Sequence, residues 1–212
     1  MNEKILTNLI KKYGEPYSRE LGINVGKGDA ELFKWFIASM LFGARIPEKI
    51  AVNTFKEFER MGVLTPEKVL ATGWNGVVGL LDNGGYVRYD FSTATDLLEA
   101  TKLLKKKYGG SFSKLHSLSP DATDLRKRLM EMRGVGPVTA SIFLRDLREI
   151  WSKAEPLPTP LVTRSARELG IREIEKVLKQ LPPEKSIALE TALVRVGKML
   201  KRKALTNQLV KC

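Results

Sequence analysis

Hydrophobic residues recur along this chain every three or four positions, which is the spacing of one face of an α-helix. The pattern predicts helices over residues 2–13, 47–60, 74–81 and 92–108. The stretch from Asp29 to Phe42 is apolar nearly all round, which is typical of a buried helix. No stretch shows the sustained alternation of β-branched residues that a strand requires. The sequence therefore predicts an all-α fold with short connections.

Residues that favour helix ends mark several boundaries. Asp29 is suited to cap the helix that follows it. Thr65 and Pro66 start another helix, with the threonine as cap and the proline at the first helical position. The segment Ser119-Pro120-Asp121 repeats this arrangement before a helix that leads to the centre of the chain's second half.

A tight turn lies there, with Val135 between Gly134 and Gly136. Pro137 follows at once and begins the next helix. Glycine tolerates a positive φ and leaves no side chain between the backbone and a ligand. The bare N–H groups at a helix N-terminus attract an anion, for which a nucleic-acid phosphate is the natural candidate in a basic protein. Gly-x-Gly-Pro also occurs as ordinary punctuation between two helices.

Composition points to a polyanionic partner. The 212 residues include 36 Lys and Arg against 24 Asp and Glu, which gives a net charge of +12. The single cysteine, Cys212, excludes an intramolecular disulfide and a zinc or iron–sulfur site built from cysteines of one chain, so we expect no cofactor. No apolar run is long enough to cross a bilayer, so we expect a soluble protein that is cytoplasmic or nucleoid-associated. We also expect a monomer.

The segment RGVGPVTASIFLR, residues 133–145, resembles the helix-hairpin-helix of DNA glycosylases related to endonuclease III, the HhH-GPD superfamily, whose pattern there is L-P-G-V-G-x-K-T-A. Other segments resemble that family in the family's order, namely 29–60, 84–110, 161–171 and 187–200. The resemblance implies a two-lobed helical fold, with residues 30–133 in one lobe, 1–29 plus 134–212 in the other, and the hairpin at their junction. Double-stranded DNA, typically damaged, would lie in the groove between the lobes.

The resemblance also assigns DNA-binding residues. The backbone amides of Gly134, Val135 and Gly136 would hold a phosphate, next to Val138 and Thr139 at the start of the following helix. In the family, the loop before the long helix inserts a wedge where a base is flipped. Arg88 aligns near that wedge and Tyr89 beside it could stack on a base, although a surface arginine packed beside a core tyrosine fits the sequence equally well.

The catalytic residues of the family are mostly replaced here. Its lyase members carry a Lys where this chain has Val138, and a valine cannot form a Schiff base. The family's catalytic Asp aligns with Thr159, or with Pro158 if one residue is skipped. The nearest acid is Glu155, which is a candidate replacement or an ordinary loop glutamate. The cysteines of the family's iron–sulfur cluster are missing, and the same segment keeps Lys201, Arg202 and Lys203.

Three hypotheses follow. The first is a monofunctional DNA N-glycosylase of base-excision repair, acting on a damaged base without Schiff-base chemistry. A base that already carries positive charge leaves readily, and pocket aromatics could bind it, for which the candidates are Trp35, Trp74, Trp151, Tyr86 and Tyr89. The second is a non-catalytic binder of damaged or distorted DNA, and the third is a helical protein–protein adaptor. Lone His116 is interpreted as a surface or turn residue.

Overall fold

A computed structural model describes the backbone of residues 3–209 and the side chains of residues 6–200. These residues form α-helices, one short 3-10 helix at Val25–Lys27 and connecting turns, without a β-strand, so the all-α prediction is confirmed. None of the helices in the described part is both long and apolar enough to cross a membrane. The α-helices are α1 Glu3–Tyr13, α2 Tyr17–Glu20, α3 Asp29–Gly43, α4 Glu48–Arg60, α5 Pro66–Asn83, α6 Asp90–Tyr108, α7 Phe112–Leu118, α8 Ala122–Met130, α9 Pro137–Arg145, α10 Pro160–Glu168, α11 Ile174–Gln180 and α12 Pro183–Leu209.

The chain divides into a central unit, residues 21–156, and a terminal unit, residues 1–20 with 157–212. This division differs from the predicted lobes, because 21–29 and 134–156 belong to the central unit. The reason is the packing of α9 against α3. The indole Nε1 of Trp35 donates a hydrogen bond of 3.0 Å to the carbonyl of Phe143, and both residues are buried.

The core of the central unit is built around α3, which is buried nearly all round, as its composition predicts. An aromatic cluster joins Phe36 of α3 to Phe112 of α7 and Phe143 of α9. The ring centroids lie 4.8 Å apart for Phe36 and Phe112, 5.0 Å for Phe112 and Phe143, and 6.0 Å for Phe36 and Phe143. Such contacts add specific ring–ring attraction to the burial of apolar surface. The cluster holds α9, the helix that follows the glycine turn, against α3.

Two of the predicted caps are wrong. Gly28, not Asp29, occupies the cap position of α3, because the Asp29 carboxylate instead accepts hydrogen bonds from the Ser111 hydroxyl and the Ser113 amide at the start of α7. Asp121 caps α8 through the amide of residue 124, so Ser119 is not the cap. In both cases a neighbouring residue takes the cap position, although only Asp121 accepts a hydrogen bond from its helix through its side chain.

Two other boundaries are informative. Thr65 caps α5 and Pro66 begins it, as predicted. The predicted helix over 74–81 is the second half of α5, separated from the first half by a break at Gly73, where φ is +67°. Only glycine adopts this left-handed conformation at little cost. The break changes the direction of the chain immediately before Trp74.

The terminal unit packs α1, α10 and α11 against α12. Its core consists of apolar side chains from these helices and the turns beside them, namely Val162, Ala166, Ile171, Ile174, Leu178, Leu189 and Leu193, flanked by Leu6, Leu9 and Ile10. Arg195 of α12 donates to the carbonyl of Tyr13 and pairs with Glu20, which fixes the N-terminal segment. The side chains of Lys201, Arg202 and Lys203, and all of Cys212, lie outside the described residues.

We expect Phe143→Ala to lower the free energy of unfolding by about 3–5 kcal/mol, because it leaves a cavity among Phe36, Phe112 and Trp151. Urea unfolding followed by circular dichroism measures the change. The control is Leu118→Ala, which truncates a side chain that is 50% exposed and should shift stability by no more than about 0.5 kcal/mol. Equal effects of the two substitutions would contradict the central role of the aromatic cluster.

Candidate nucleic-acid interface

The turn between α8 and α9 brings a bare helix N-terminus to the surface. Gly134 takes φ +78°, and the amide of Val135 then donates 3.0 Å to the carbonyl of Met132. Gly136 occupies the cap position of α9 in an extended conformation, with φ −86° and ψ 179°, and no side chain caps the helix. The first amides of α9 therefore carry the partial positive charge of an uncapped helix end.

Exposure separates the residues predicted to bind phosphate into two groups. Gly134, Gly136 and Val138 are exposed, whereas Val135 and Thr139 are buried. Thr139 packs on Gly43 of α3 so closely that a Cβ at Gly43 would overlap its hydroxyl. The side chains of Val135 and Thr139 thus anchor the turn. Because the Val135 amide already donates to the Met132 carbonyl, the backbone amide of Thr139 is the candidate of the two for a ligand contact.

Asp96 of α6 is the residue that fixes this turn, and sequence reasoning missed it. Its Oδ1 accepts a 2.8 Å hydrogen bond from Nε of Arg133, immediately before Gly134. A Cβ built on Gly134 would lie 2.6 Å from the Cβ of Asp96. Gly134 is therefore required both by its φ and by the close approach of α6. No local motif signals Asp96, because it lies 37 positions from Arg133.

The loop that carries Arg88 and Tyr89 also lies beside α6. The Arg88 guanidinium is 5.2 Å from the centre of the Tyr89 ring, and Arg88 is exposed. Next to them, Tyr86 is buried and accepts a 3.0 Å hydrogen bond from the Thr93 hydroxyl. Burial raises the pKa of Tyr86, and the nearby charge of Asp96 raises it further. Asp96 thus lies close to both the predicted wedge loop and the glycine turn.

The aromatic residues predicted to line a base pocket differ in exposure. Trp35, Tyr86 and Trp151 are buried and belong to the core. Trp74 is 41% exposed, and its ring centroid is 5.2 Å from that of Phe91, which is 60% exposed. Sequence reasoning did not single out Phe91. Its position beside Arg88 and Tyr89 was the available signal.

The two candidate catalytic positions have different roles. The hydroxyl of Thr159 accepts a hydrogen bond from the amide of Val162, so Thr159 is the buried cap of α10. Glu155 has an exposed side chain, and its backbone carbonyl accepts 2.8 Å from Arg126. Glu155 belongs to the central unit and Thr159 to the terminal unit. Of the two, only Glu155 offers a carboxylate in a backbone position that a neighbouring side chain holds.

His116 and Lys153 hold the loop before Glu155. The His116 ring stacks on Trp151 with a centroid distance of 4.6 Å and an angle of 8° between the planes. Lys153 donates to the carbonyls of His116 and Ser119. Burial, and secondarily the charge of Lys153, lower the pKa of His116 below its usual range. His116 is thus a half-buried packing residue of α7, whereas the sequence predicted a surface or turn residue.

Two further groups of charged residues have structural partners. Lys105 pairs with Glu67 at 2.8 Å and Lys107 with Glu131 at 2.7 Å, so the basic end of α6 is partly neutralised. Asp146, on the chain before Glu155, is buried and pairs with Arg145. Among the described side chains, no group of three His, Cys, Asp or Glu residues is arranged to hold a metal ion.

Comparison of the chain with protein-family models, with curated proteins and with solved structures finds no match.

We expect Gly134→Ala to destabilise the central unit by about 2 kcal/mol or more, from left-handed strain and overlap with Asp96. Gly136→Ala is the matched control. Gly136 has a negative φ and open space around its missing Cβ, so the cost should stay below about 1 kcal/mol, the difference between Gly and Ala as helix caps. Thermal unfolding of both variants measures the effect, and similar melting temperatures would argue against the described turn.

Proposed function

We propose that this protein binds DNA through the turn at residues 133–138, as a monofunctional N-glycosylase that removes a damaged base. The observation that carries the proposal is the exposed N-terminus of α9, which has glycine at its cap position and no side-chain cap. Backbone amides at such an end are donors for a phosphate oxygen. The net charge of +12 supports a polyanionic ligand.

The fixed backbone of the turn supports the same assignment. Asp96 and Thr139 hold the turn from two sides, so its amides are ordered before a ligand arrives. A preorganised site loses less conformational entropy on binding than a mobile one. Because a phosphate contact made by backbone amides carries no sequence information, the contact would position the DNA and leave recognition to other residues.

Val138 defines the kind of chemistry that we propose. Its side chain is 39% exposed at the start of α9, at the position where the glycosylases that this chain resembles carry the lyase lysine. A valine offers no amine to attack the sugar, so the protein would release a base without cutting the strand. Glu155 is the candidate acid, since its side chain is exposed and its backbone is held by Arg126. In the proposed reaction its carboxylate stabilises the cationic sugar and activates a water molecule.

A non-catalytic reader of damaged or distorted DNA is the second candidate. The observation that favours it is the role of Thr159, which is not an acid and whose hydroxyl is used as the cap of α10. In this alternative the turn binds phosphate in the same way and Glu155 has no chemical role. Binding experiments test what the two candidates share, and base release separates them.

We expect Gly136→Val to weaken DNA binding at least tenfold at fixed salt, because the added side chain would stand between the α9 amides and a phosphate. The matched control is Gly79→Val in α5, which also adds a side chain into open space. Fluorescence anisotropy with a labelled duplex gives the affinities, and circular dichroism shows that both variants fold. Equal DNA affinities of the two variants would contradict the assignment of phosphate binding to this turn.

The salt dependence of binding provides a second test on the same variants. For duplex DNA the slope of log affinity against log salt changes by about 0.9 per phosphate contact. Loss of one contact in Gly136→Val should reduce the slope by about 1 relative to Gly79→Val. A binding constant that does not vary with salt in the unmodified protein would instead favour the protein–protein adaptor.

We expect duplexes that carry a substrate lesion to break only after hot alkali, because base release without lyase action leaves an intact strand. Uracil, oxidised guanine and methylated adenine are tested in parallel. Glu155→Gln should then slow base release by about 100-fold to 10,000-fold, the usual contribution of acid–base catalysis. Glu59→Gln, at an exposed glutamate of α4, is the control. Breaks without alkali would contradict the role assigned to Val138, and salt-sensitive binding with no breaks on any duplex would favour the non-catalytic reader.

A further inference from the structure

Two aromatic rings are presented to solvent on the central unit. Trp74 is 41% exposed and Phe91 is 60% exposed, and their centroids lie 5.2 Å apart at an angle of 42°. The other tryptophans, Trp35 and Trp151, are buried. Exposing a large aromatic surface costs hydrophobic free energy. A contiguous exposed patch of this kind marks a binding surface more often than an isolated apolar residue does.

The fold holds both rings in place. Nε1 of Trp74 donates 3.0 Å to the hydroxyl of Thr95, and that hydroxyl donates 2.9 Å to the carbonyl of Phe91. The break at Gly73 redirects the chain just before Trp74. Because the indole N–H has a protein partner, the polar edge of the ring is already satisfied. What remains for a ligand is apolar ring surface in a defined orientation.

A cationic residue, Arg88, lies three positions before Phe91 in the sequence. Arg88 is exposed, contacts the Tyr89 ring and makes no ion pair with any residue whose side chain the structure describes. By contrast, Asp82 and Asp90 interact with each other, and burial first and Asp90 second raise the pKa of Asp82. The acidic groups disfavour a phosphate at the start of α6, whereas Arg88 favours one. A nucleotide would therefore place its base on the rings and its phosphate towards Arg88.

Helix α6 connects the rings to the glycine turn. Phe91 and Thr95 lie on α6 together with Asp96, which contacts Arg133 and Gly134. At 1.5 Å per residue, Phe91 and Asp96 are separated by about 7.5 Å along the helix axis. Five residues also rotate by about 140° around the axis, so Phe91 and Asp96 face different sides of α6. A strand held at the turn would therefore pass around α6 to reach the rings, a path longer than this rise.

We propose that Trp74 and Phe91 form a stacking platform for an unpaired base, so that the preferred substrate is DNA with unstacked bases. The inference rests on the proposed function, since it takes the strand to be held at the glycine turn. In an intact duplex both faces of an interior base are covered by neighbouring bases. Only a base in a single strand, a gap or a mismatch can stack on a protein ring without first being pulled out.

The test compares three labelled DNA probes by anisotropy, namely an oligothymidylate, its intact duplex and a duplex with a short gap. Phe91→Ala and Trp74→Leu should each weaken binding to the single strand and the gapped duplex by about tenfold, the loss typical of one base–aromatic stack. Binding to the intact duplex should change less than about twofold. Trp74→Tyr, which keeps an aromatic ring, should restore most of the affinity.

The control is Leu118→Ala, which removes an equally exposed apolar side chain on α7 and should leave all three affinities unchanged. Thermal unfolding shows whether each variant is folded. A direct readout is also available, because Trp74 is the exposed tryptophan of the described chain. Its emission should be quenched by the oligothymidylate in the unmodified protein and in Leu118→Ala, and much less in Phe91→Ala.

Three results would overturn the platform. Unchanged affinities in both Phe91→Ala and Trp74→Leu would show that no base stacks there. Equal losses on intact and gapped DNA would show that unpaired bases are not preferred. Sedimentation of the unmodified protein as a dimer that Phe91→Ala dissociates would assign the rings to a contact between two copies. If Gly136→Val and Gly79→Val also bind alike, the proposed function itself fails, whereas failure of the platform alone leaves that function standing.

Discussion

The packing of α9 against α3 is the constraint on which the central unit depends. Phe143 supplies a ring to the aromatic cluster and a carbonyl to Trp35, so one residue contributes both dispersion and a buried hydrogen bond. Both interactions are made in a low-dielectric interior, where an unsatisfied polar group would be costly. Since Thr139 lies one helical turn before Phe143, the same packing sets the position of the exposed end of α9. The stability of the core and the geometry of the turn are therefore parts of one arrangement.

The sequence predicted the features that local chemistry controls. Pro137 at the start of α9 and Thr65 as the cap of α5 both follow from preferences within one or two helical turns. Features set by sequence-distant partners were not accessible. Asp96 acts on Arg133 across 37 positions, and the Asp29 side chain at the start of α3 accepts hydrogen bonds from Ser111 and Ser113 at the start of α7. The central unit ends at residue 156 and not near residue 133, and the contact of Phe143 with Trp35, again between sequence-distant partners, keeps α9 in that unit.

The candidate site was predicted as a set of positions but not as a surface. Periodicity indicates which residues face the core, yet it does not say which of several aromatic residues remain outside. Trp35 lies in the helix that composition predicts to be buried, whereas nothing local predicts that Trp74 stays exposed. A break at Gly73 precedes Trp74, and its indole donates to Thr95 of α6. The carboxylate beside the turn was likewise unforeseen, although Asp96 is what orders the turn. A basic protein thus uses a carboxylate to organise the place where an anion is proposed to bind.

At Thr159 the requirement of the fold for a helix cap is distinct from the requirement of catalysis for an acid. As the cap of α10 it needs a short side chain with an oxygen that accepts from an amide two or three residues on. Serine, asparagine and aspartate satisfy that need about as well as threonine. The fold therefore neither demands a carboxylate there nor excludes one. An acid at residue 159 would keep the cap of α10, and because the side chain there is only 8% exposed, its cost would lie in desolvating the carboxylate.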